Sequence, residues 1–553
     1  MRYISRAALF TASCALLPSV FIPLAQAQFG RGGGVWNTAG ADAQRSSWAR
    51  TDTRINSTSM PGFAFLWKVK LPNDAKQQYA LSPSVMVDSY IGYRGFRSYA
   101  FVGGASNNVI ALDTDLGRLE WNKNFGATGQ SSATCPGAMT AGVTRPASLA
   151  FPAAAAGGRG RGGGRGAASG VSEPEAGAIT IGQGRNGGGR GAPAAGPARG
   201  GGRGPGAPGA SGAAGRGGFG GFGGGRGTRP PDAVYALTTD GMLHTLYISN
   251  GQDAKPPVRF LPSDANASGL ILIDNVIYAT TAGNCGGVSN GVWAIDTAEA
   301  SPTAVHWATN GGGVAGNVGA AFGPSESVYV ATGDGEYSPA AFSNSVVSLE
   351  TKTLKMKDWF TPGKSEFTSS PLVFEMKEGD KAHELIATAN KDGKLYILSS
   401  ESLGGADHKT PLASASLGSA AHSLASWEDG SGTRWILADT DGNVTALKVT
   451  MQSGKPSLQT GWTSRALTSP IGPVVINGIV FAASTGSSSV LYAFDGATGR
   501  ELFNSGSTIT GGLAHSGAIS GSAGQLYLST ADSTLYAFGI PLVAPDLAAK
   551  TKN

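Results

Sequence analysis

Charged residues are sparse: Asp, Glu, Lys and Arg make up 14% of the 553 residues, and the chain has only three cysteines and six histidines. With so few thiols and imidazoles, no thiolate-rich metal cluster is recognisable, and no nucleophile or triad stands out. Past the first 24 residues nothing approaches the roughly 18 apolar residues that a spanning helix needs. No long stretch carries an apolar period of 3.6 residues, which argues against a helical architecture. A basic body is missing too. Of the formal net charge of +5, ten arginines against Glu173 and Glu175 place +8 within residues 153–230, and Arg2 and Arg6 add +2, so the remainder stands at −5. A mildly acidic body lacks the electrostatic footprint of a nucleic-acid-binding domain, and no nucleic-acid partner is expected.

What the chain does have is a repeat. Eight apolar quartets recur: Val109 to Leu112, Leu243 to Leu246, Val292 to Ile295, Val346 to Leu349, Leu395 to Leu398, Val444 to Leu447, Leu491 to Phe494 and Leu535 to Phe538. Their start-to-start spacings are 134, 49, 54, 49, 49, 47 and 44 residues, and the first falls to 56 without the 78-residue Gly/Arg tract from Ala153 to Pro230. Ahead of the quartets stand turn pairs such as Asp240-Gly241, Asn290-Gly291, Asp392-Gly393 and Asp441-Gly442, which supply the positive φ of two-residue hairpins. Period-two runs precede them, Val328 to Thr332 and Ile479 to Ala483 among them. A period near 50 residues with several short strands per unit predicts an all-β, eight-bladed β-propeller of four-stranded antiparallel blades, with seven blades as the alternative count. The last unit lacks a fourth strand after Phe538, and Phe65 to Leu71 can supply it, so an N-terminal strand is expected to close the ring and remove a sheet edge.

Residues 1–27 carry two arginines, an apolar stretch and Ala25-Gln26-Ala27, the pattern of a signal peptide cleaved after Ala27. The expected location is therefore periplasmic or secreted. Residues 28–60 read as an N-terminal extension, 61–540 as the propeller and 541–553 as a tail. The 153–230 tract is too rich in Gly, Ala, Pro and Arg to bury a core and reads as a disordered surface insertion. Its charge also suits contact with an anionic surface polymer. Two cysteines, Cys135 and Cys285, outlast signal removal; in an oxidising compartment they are either bridged, for about 2 to 4 kcal/mol, or two buried thiols. His422 and His515 each precede an expected innermost strand, as do Ser370 and Thr468, so a ring of polar side chains at the channel face could hold a small polar ligand or hydrogen-bond between blades.

Two units share a longer motif. Asp113, Gly117 and Trp121 follow the first quartet in ALDTDLGRLEW, and Asp495, Gly499 and Phe503 repeat the spacing in AFDGATGRELF. Looser copies run from Asp296 to Trp307 and from Glu350 to Trp359, and Tyr247 stands before Gly251 where the Asp would be. On these residues the chain resembles the pyrroloquinoline quinone (PQQ) repeat propellers, a family similar to quinoprotein alcohol dehydrogenases and to the barrel-assembly accessory propeller of outer membranes. The stretch WNTAGADAQRSSW, Trp36 to Trp48, also resembles the opening of dehydrogenase members.

For an enzyme of that family the resemblance implies PQQ with a calcium ion, a carboxylate base and a cap of adjacent cysteines. It places Asp334 at a metal-ligand position, Ser343-Asn344 where an Asp-Asn pair supplies the base, and a single Cys135 followed by Arg145 in the cap region. No glutamate ligand is located, and Ser343 is no base near neutral pH. Cys135, Arg145, Asp334, Asn344, His422 and His515 are thus the candidate cofactor-binding residues, with no catalytic residue assigned. Intact blade motifs beside altered dehydrogenase positions point to a non-catalytic binding or scaffold protein of the cell envelope. Its expected partner is an envelope protein or a small polar ligand at the channel face, and a divergent PQQ-dependent alcohol or sugar dehydrogenase is the alternative.

Overall fold

The computed structural model describes residues 36–50, 52–76, 79–92, 95–132, 134–151, 232–514 and 519–541. Residues 1–35, with the expected signal and its cleavage site, the whole Gly/Arg tract from Ala153 to Pro230, His515 and residues 542–553 lie outside them. Eight antiparallel sheets form a propeller, with blades one to eight in chain order over residues 85–124, 143–259, 267–308, 321–360, 372–416, 421–463, 470–504 and 519–539. All eight quartets fall in the third strand of their blade, such as Asn108–Asp113, Lys394–Ser399 and Thr534–Gly539. Both faces of that strand pack against neighbouring blades, so it reads as a continuous apolar run. Blade eight is completed by Ala64–Lys70, antiparallel to Thr534–Gly539 with Phe65 opposite Phe538 and Lys70 opposite Thr534. The ring therefore has eight blades and is closed by its N-terminal strand.

The repeated motif fastens neighbouring blades. Asp113 Oδ1 accepts the N–H groups of Asp115 and Leu116 at 3.1 Å each and so shapes the turn. Gly117 has φ +60°, and a Cβ there would sit 2.6 Å from the Trp67 ring of blade eight. Trp67 in turn donates its indole N–H to Thr114 O at 3.0 Å. The same lock joins Trp121 to Gly251 and Ile248 O in blade two, and Trp462 to Gly499 and Gly496 O in blade seven. An aromatic plane lies where only glycine leaves room, and its one polar atom is satisfied across the seam.

Residues 36–50 run through the centre of the ring. The carbonyls of Trp36, Ala43, Gln44, Ser46 and Ser47 accept N–H groups from Met86, Phe322, Val373, Ser426 and Val475, on the innermost strands of blades one, four, five, six and seven. Trp48–Ala49 pairs in parallel with Val475 and Ile476. Blade three is reached through Thr38, whose hydroxyl donates to Leu270 O at 2.9 Å. Arg45 lies at the middle of this segment, 1% exposed, and donates to Ala320 O, Gly269 O, Ala39 O and Thr38 Oγ. Burial lowers its pKa to about 9, which still leaves it charged at neutral pH. A second short segment, Pro146–Ala147, pairs in parallel with Leu272 and Ile273, and Phe151 packs against the blade-four core. Inner strand edges that would otherwise expose unpaired groups are thus covered by the chain itself.

Candidate functional site

In an antiparallel blade the loop entering the first strand and the loop joining strands two and three open on the same face. The residues singled out from sequence lie largely in those loops, and the structure sorts them into three places.

The first place is a groove of about 760 Å³ at the boundary of blades four and five. Asp334, Glu336, Tyr337 and Asn344 reach it from the loop between strands two and three of blade four, and Trp359 and Thr361 from the end of that blade's outer strand, Met356–Phe360. Lys364 follows in the next loop, and Asp407, His408 and Lys409 come from a loop of blade five. The His408 ring stacks on the Trp359 indole at 3.6 Å and 13°, with Nδ1 3.1 Å from both Asp358 Oδ1 and Trp359 O. Hydrogen bonds from Lys409 and Thr410 hold the Asp407 carboxyl below the usual carboxylate range. Asn344, φ +54°, donates through Nδ2 to Gly335 O at 2.8 Å, and its buried Oδ1 has no donor among the described residues. Beside the groove, Glu366 accepts the Asp334 N–H at 3.1 Å and pairs with Lys391 at 2.8 Å, which raises the Lys391 pKa.

The second place is a small cleft of about 30 Å³ in the channel, lined by Arg45, Ser47, Asn317, Ser370 and His422 among others. Its polar side chains are largely tied down. His422 Nε2 lies 3.3 Å from Asp441 Oδ1, and the N–H groups of His422 and Ser423 point at Asp439 Oδ1. Burial lifts the Asp439 pKa to about 7. Thr468 is not part of this lining.

In the third place, Cys135 and Cys285 form a disulfide, with an S–S distance of 2.06 Å, that joins the loop between blades one and two to blade three. Arg145 sits apart from Asp334 in function: its N–H donates to Asn37 O and its guanidinium pairs with Asp232 at 3.1 Å. That pair joins the two ends between which the Gly/Arg tract is inserted.

These residues do not fit a quinone and cation pair. Of the residues singled out for a cofactor, Asp334 and Asn344 share the groove, but Asn344 Nδ2 is committed to Gly335 O and its Oδ1 is buried. Among the described residues no three His, Cys, Asp or Glu side chains converge as a ligand set. Ser343, where the resemblance places the base, is fully buried and its Oγ accepts the Gly312 N–H at 2.9 Å. A Cβ at Gly311 or Gly335 would lie 2.3 Å from that oxygen, so Ser343 is a strut beneath two glycine turns. Sequence reasoning missed Arg45, Trp359, His408 and the groove itself. The one available signal was Trp359 as a blade-motif aromatic; nothing marked His408 as its partner.

No known family model and no curated protein sequence matches the chain. Solved structures do. The chain is similar to the quinohemoprotein alcohol dehydrogenase of Comamonas testosteroni, with a TM-score of 0.56 and 14% identity over 92% of this chain and 81% of that one. A quinohemoprotein alcohol dehydrogenase of Pseudomonas putida HK5 gives 0.54 and 12% over 92% and 81%. A europium-containing methanol dehydrogenase gives 0.53 and 11% over 91% and 89%. No helix among the described residues is long and apolar enough to cross a membrane. At this level of identity the likeness speaks to the fold alone, an eight-bladed β-propeller like that of these dehydrogenases.

Proposed function

We propose that this chain is an exported, non-catalytic binding propeller of the cell envelope. The observation that carries the reading is Ser343, a buried acceptor for Gly312 N–H at the position where a dehydrogenase of this fold would need an ionisable base. Arg145 supports it by pairing with Asp232, and the channel supports it because residues 36–50 bond there to the innermost strands of blades one and four to seven. A groove open to solvent lies at a blade seam, rimmed by polar and aromatic side chains, a surface suited to holding a ligand. Export rests on the N-terminal sequence pattern.

The alternative is a divergent quinone-dependent dehydrogenase, favoured by Asp334 and Asn344 facing one groove in a fold shared with such enzymes. Purified mature chain, mixed with PQQ, Ca²⁺ or a lanthanide ion, and a panel of alcohols and sugars, is assayed for reduction of an artificial electron acceptor. No protein-dependent reduction is expected. Reduction that needs both the quinone and the cation overturns the binding reading. Mass spectrometry of the envelope fraction should show a mature N-terminus at Gln28.

A further inference from the structure

The groove between blades four and five has a composition that selects its ligand. Three carboxylates, Asp334, Glu336 and Asp407, and two ammonium groups, Lys364 and Lys409, line it together. Glu336, Lys364 and Lys409 have side chains exposed and unbonded within the described residues. A phosphate or other anion would face all three carboxylates, and a lysine-rich peptide would face the two lysines. Neither sign of net charge is therefore favoured. A group that donates and accepts at once can satisfy both sets, and that group is the hydroxyl.

Two further observations point the same way. Asn344 is 2% exposed, and its Oδ1 has no donor among the described residues while its Nδ2 is fixed on Gly335 O. The amide thus leaves an acceptor unmet in the wall of the groove. Tyr337 is 38% exposed, held edge-on by Phe342 at 6.2 Å and 73°, and the stacked Trp359–His408 pair lines the same groove. Flat rings beside paired acceptors and donors match a pyranose, which has an apolar C–H face and a rim of hydroxyls. The volume lies in the range that encloses a drug-sized molecule, enough for a short oligosaccharide.

We infer that this groove binds a neutral oligosaccharide, with Tyr337 and the Trp359–His408 stack as its shelf and Asn344, Glu336, Lys364 and Lys409 reading the hydroxyls. The inference rests on the binding reading above and names the ligand class for it. The test titrates the full mature chain by calorimetry with maltotriose, cellotriose, mannotriose and chitotriose, and with inorganic phosphate and trilysine as charged counterparts. At least one trisaccharide is expected to bind and both charged probes to fail. Tyr337→Ala should weaken that binding about tenfold or more, as loss of an aromatic anchor does, and Glu336→Gln by about threefold to tenfold. Both substitutions fall on exposed side chains, so an unchanged melting temperature shows that the fold persists. Binding of no trisaccharide overturns the inference, as does binding that survives both substitutions or a preference for phosphate or trilysine. Quinone-dependent turnover in the dye assay removes the non-catalytic reading and leaves the calorimetry to stand by itself; a chain that captures no sugar while the dye assay stays silent removes this inference alone.

Discussion

The seam between blades one and two and the seam between blades four and five are built on the same scaffold and have opposite characters. At the first, the Trp121 indole lies flat on Gly251 and donates to Ile248 O, leaving no gap. At the second, the corresponding aromatic, Trp359, is covered by the His408 ring brought in by a blade-five loop, and about 760 Å³ opens beside it. One seam is a lock and the other is a site. The difference teaches that a single aromatic position in this repeat serves ring closure when glycine faces it and ligand contact when a longer loop does.

Breaking the closed part of the molecule should have the larger effects. Arg45→Met strands Ala320 O, Gly269 O, Ala39 O and Thr38 Oγ at the channel centre and should destabilise by about 3 to 5 kcal/mol in urea titration. Arg45→Lys should recover little of this, because an ammonium cannot span four acceptors arranged around a planar fork. Next, Cys135→Ser with Cys285→Ser should cost about 2 to 4 kcal/mol, measured against the same chain under oxidising conditions. Gly117→Ala forces a Cβ against Trp67 at a φ of +60° and should cost about 1 to 3 kcal/mol, whereas Gly363→Ala, at the groove, meets no atom within 4 Å and should leave the thermal midpoint where it is. Equal costs at the two glycines would erase the contrast between lock and site.

The remaining expected effect is a slope. Asp439 has its folded pKa raised by burial to about 7, above the roughly 3.9 of an unfolded aspartate. Between about pH 4 and pH 7 the native state therefore holds a proton that the unfolded state has lost, and this group's contribution falls as pH rises. Asp439→Asn should flatten stability against pH across that window. An unaltered slope would mean that Asp439 is ionised in the native ring.

The blades were legible in the sequence because each third strand is apolar on both faces, so VIAL, LYIL and LYAF stand out as runs at a steady interval. Closure by Phe65 to Leu71 was legible for the same reason: an unfinished last unit implied a missing partner. The channel segment was not. Its bonds to blades one and four to seven run through main-chain carbonyls of Trp36, Ala43, Gln44, Ser46 and Ser47, which leave no mark on side-chain pattern. Arg45 is charged and would ordinarily be assigned to the surface; only the ring of carbonyls around it makes its burial tolerable. Of the candidate site, Asp334 and Asn344 do meet in one groove, and His422 meets Ser370 in another. The groove as a whole escaped notice because Trp359 and His408 stand 49 residues apart on different blades.

The segment that threads the ring also sets a clock. Residues 36–50 leave the ribosome early, yet their partners run on to Ile476, and Asp52 finds the Gly524 N–H only 472 residues later. Strand Ala64–Lys70 likewise waits for Thr534–Gly539. Individual blades can form hairpins as they emerge, and the segment meets partners in turn from Met86 onward, but its full set exists only once blade seven is made. The circle therefore shuts only when Thr534–Gly539 is available to Ala64–Lys70, and a chain truncated before blade eight should keep an open edge.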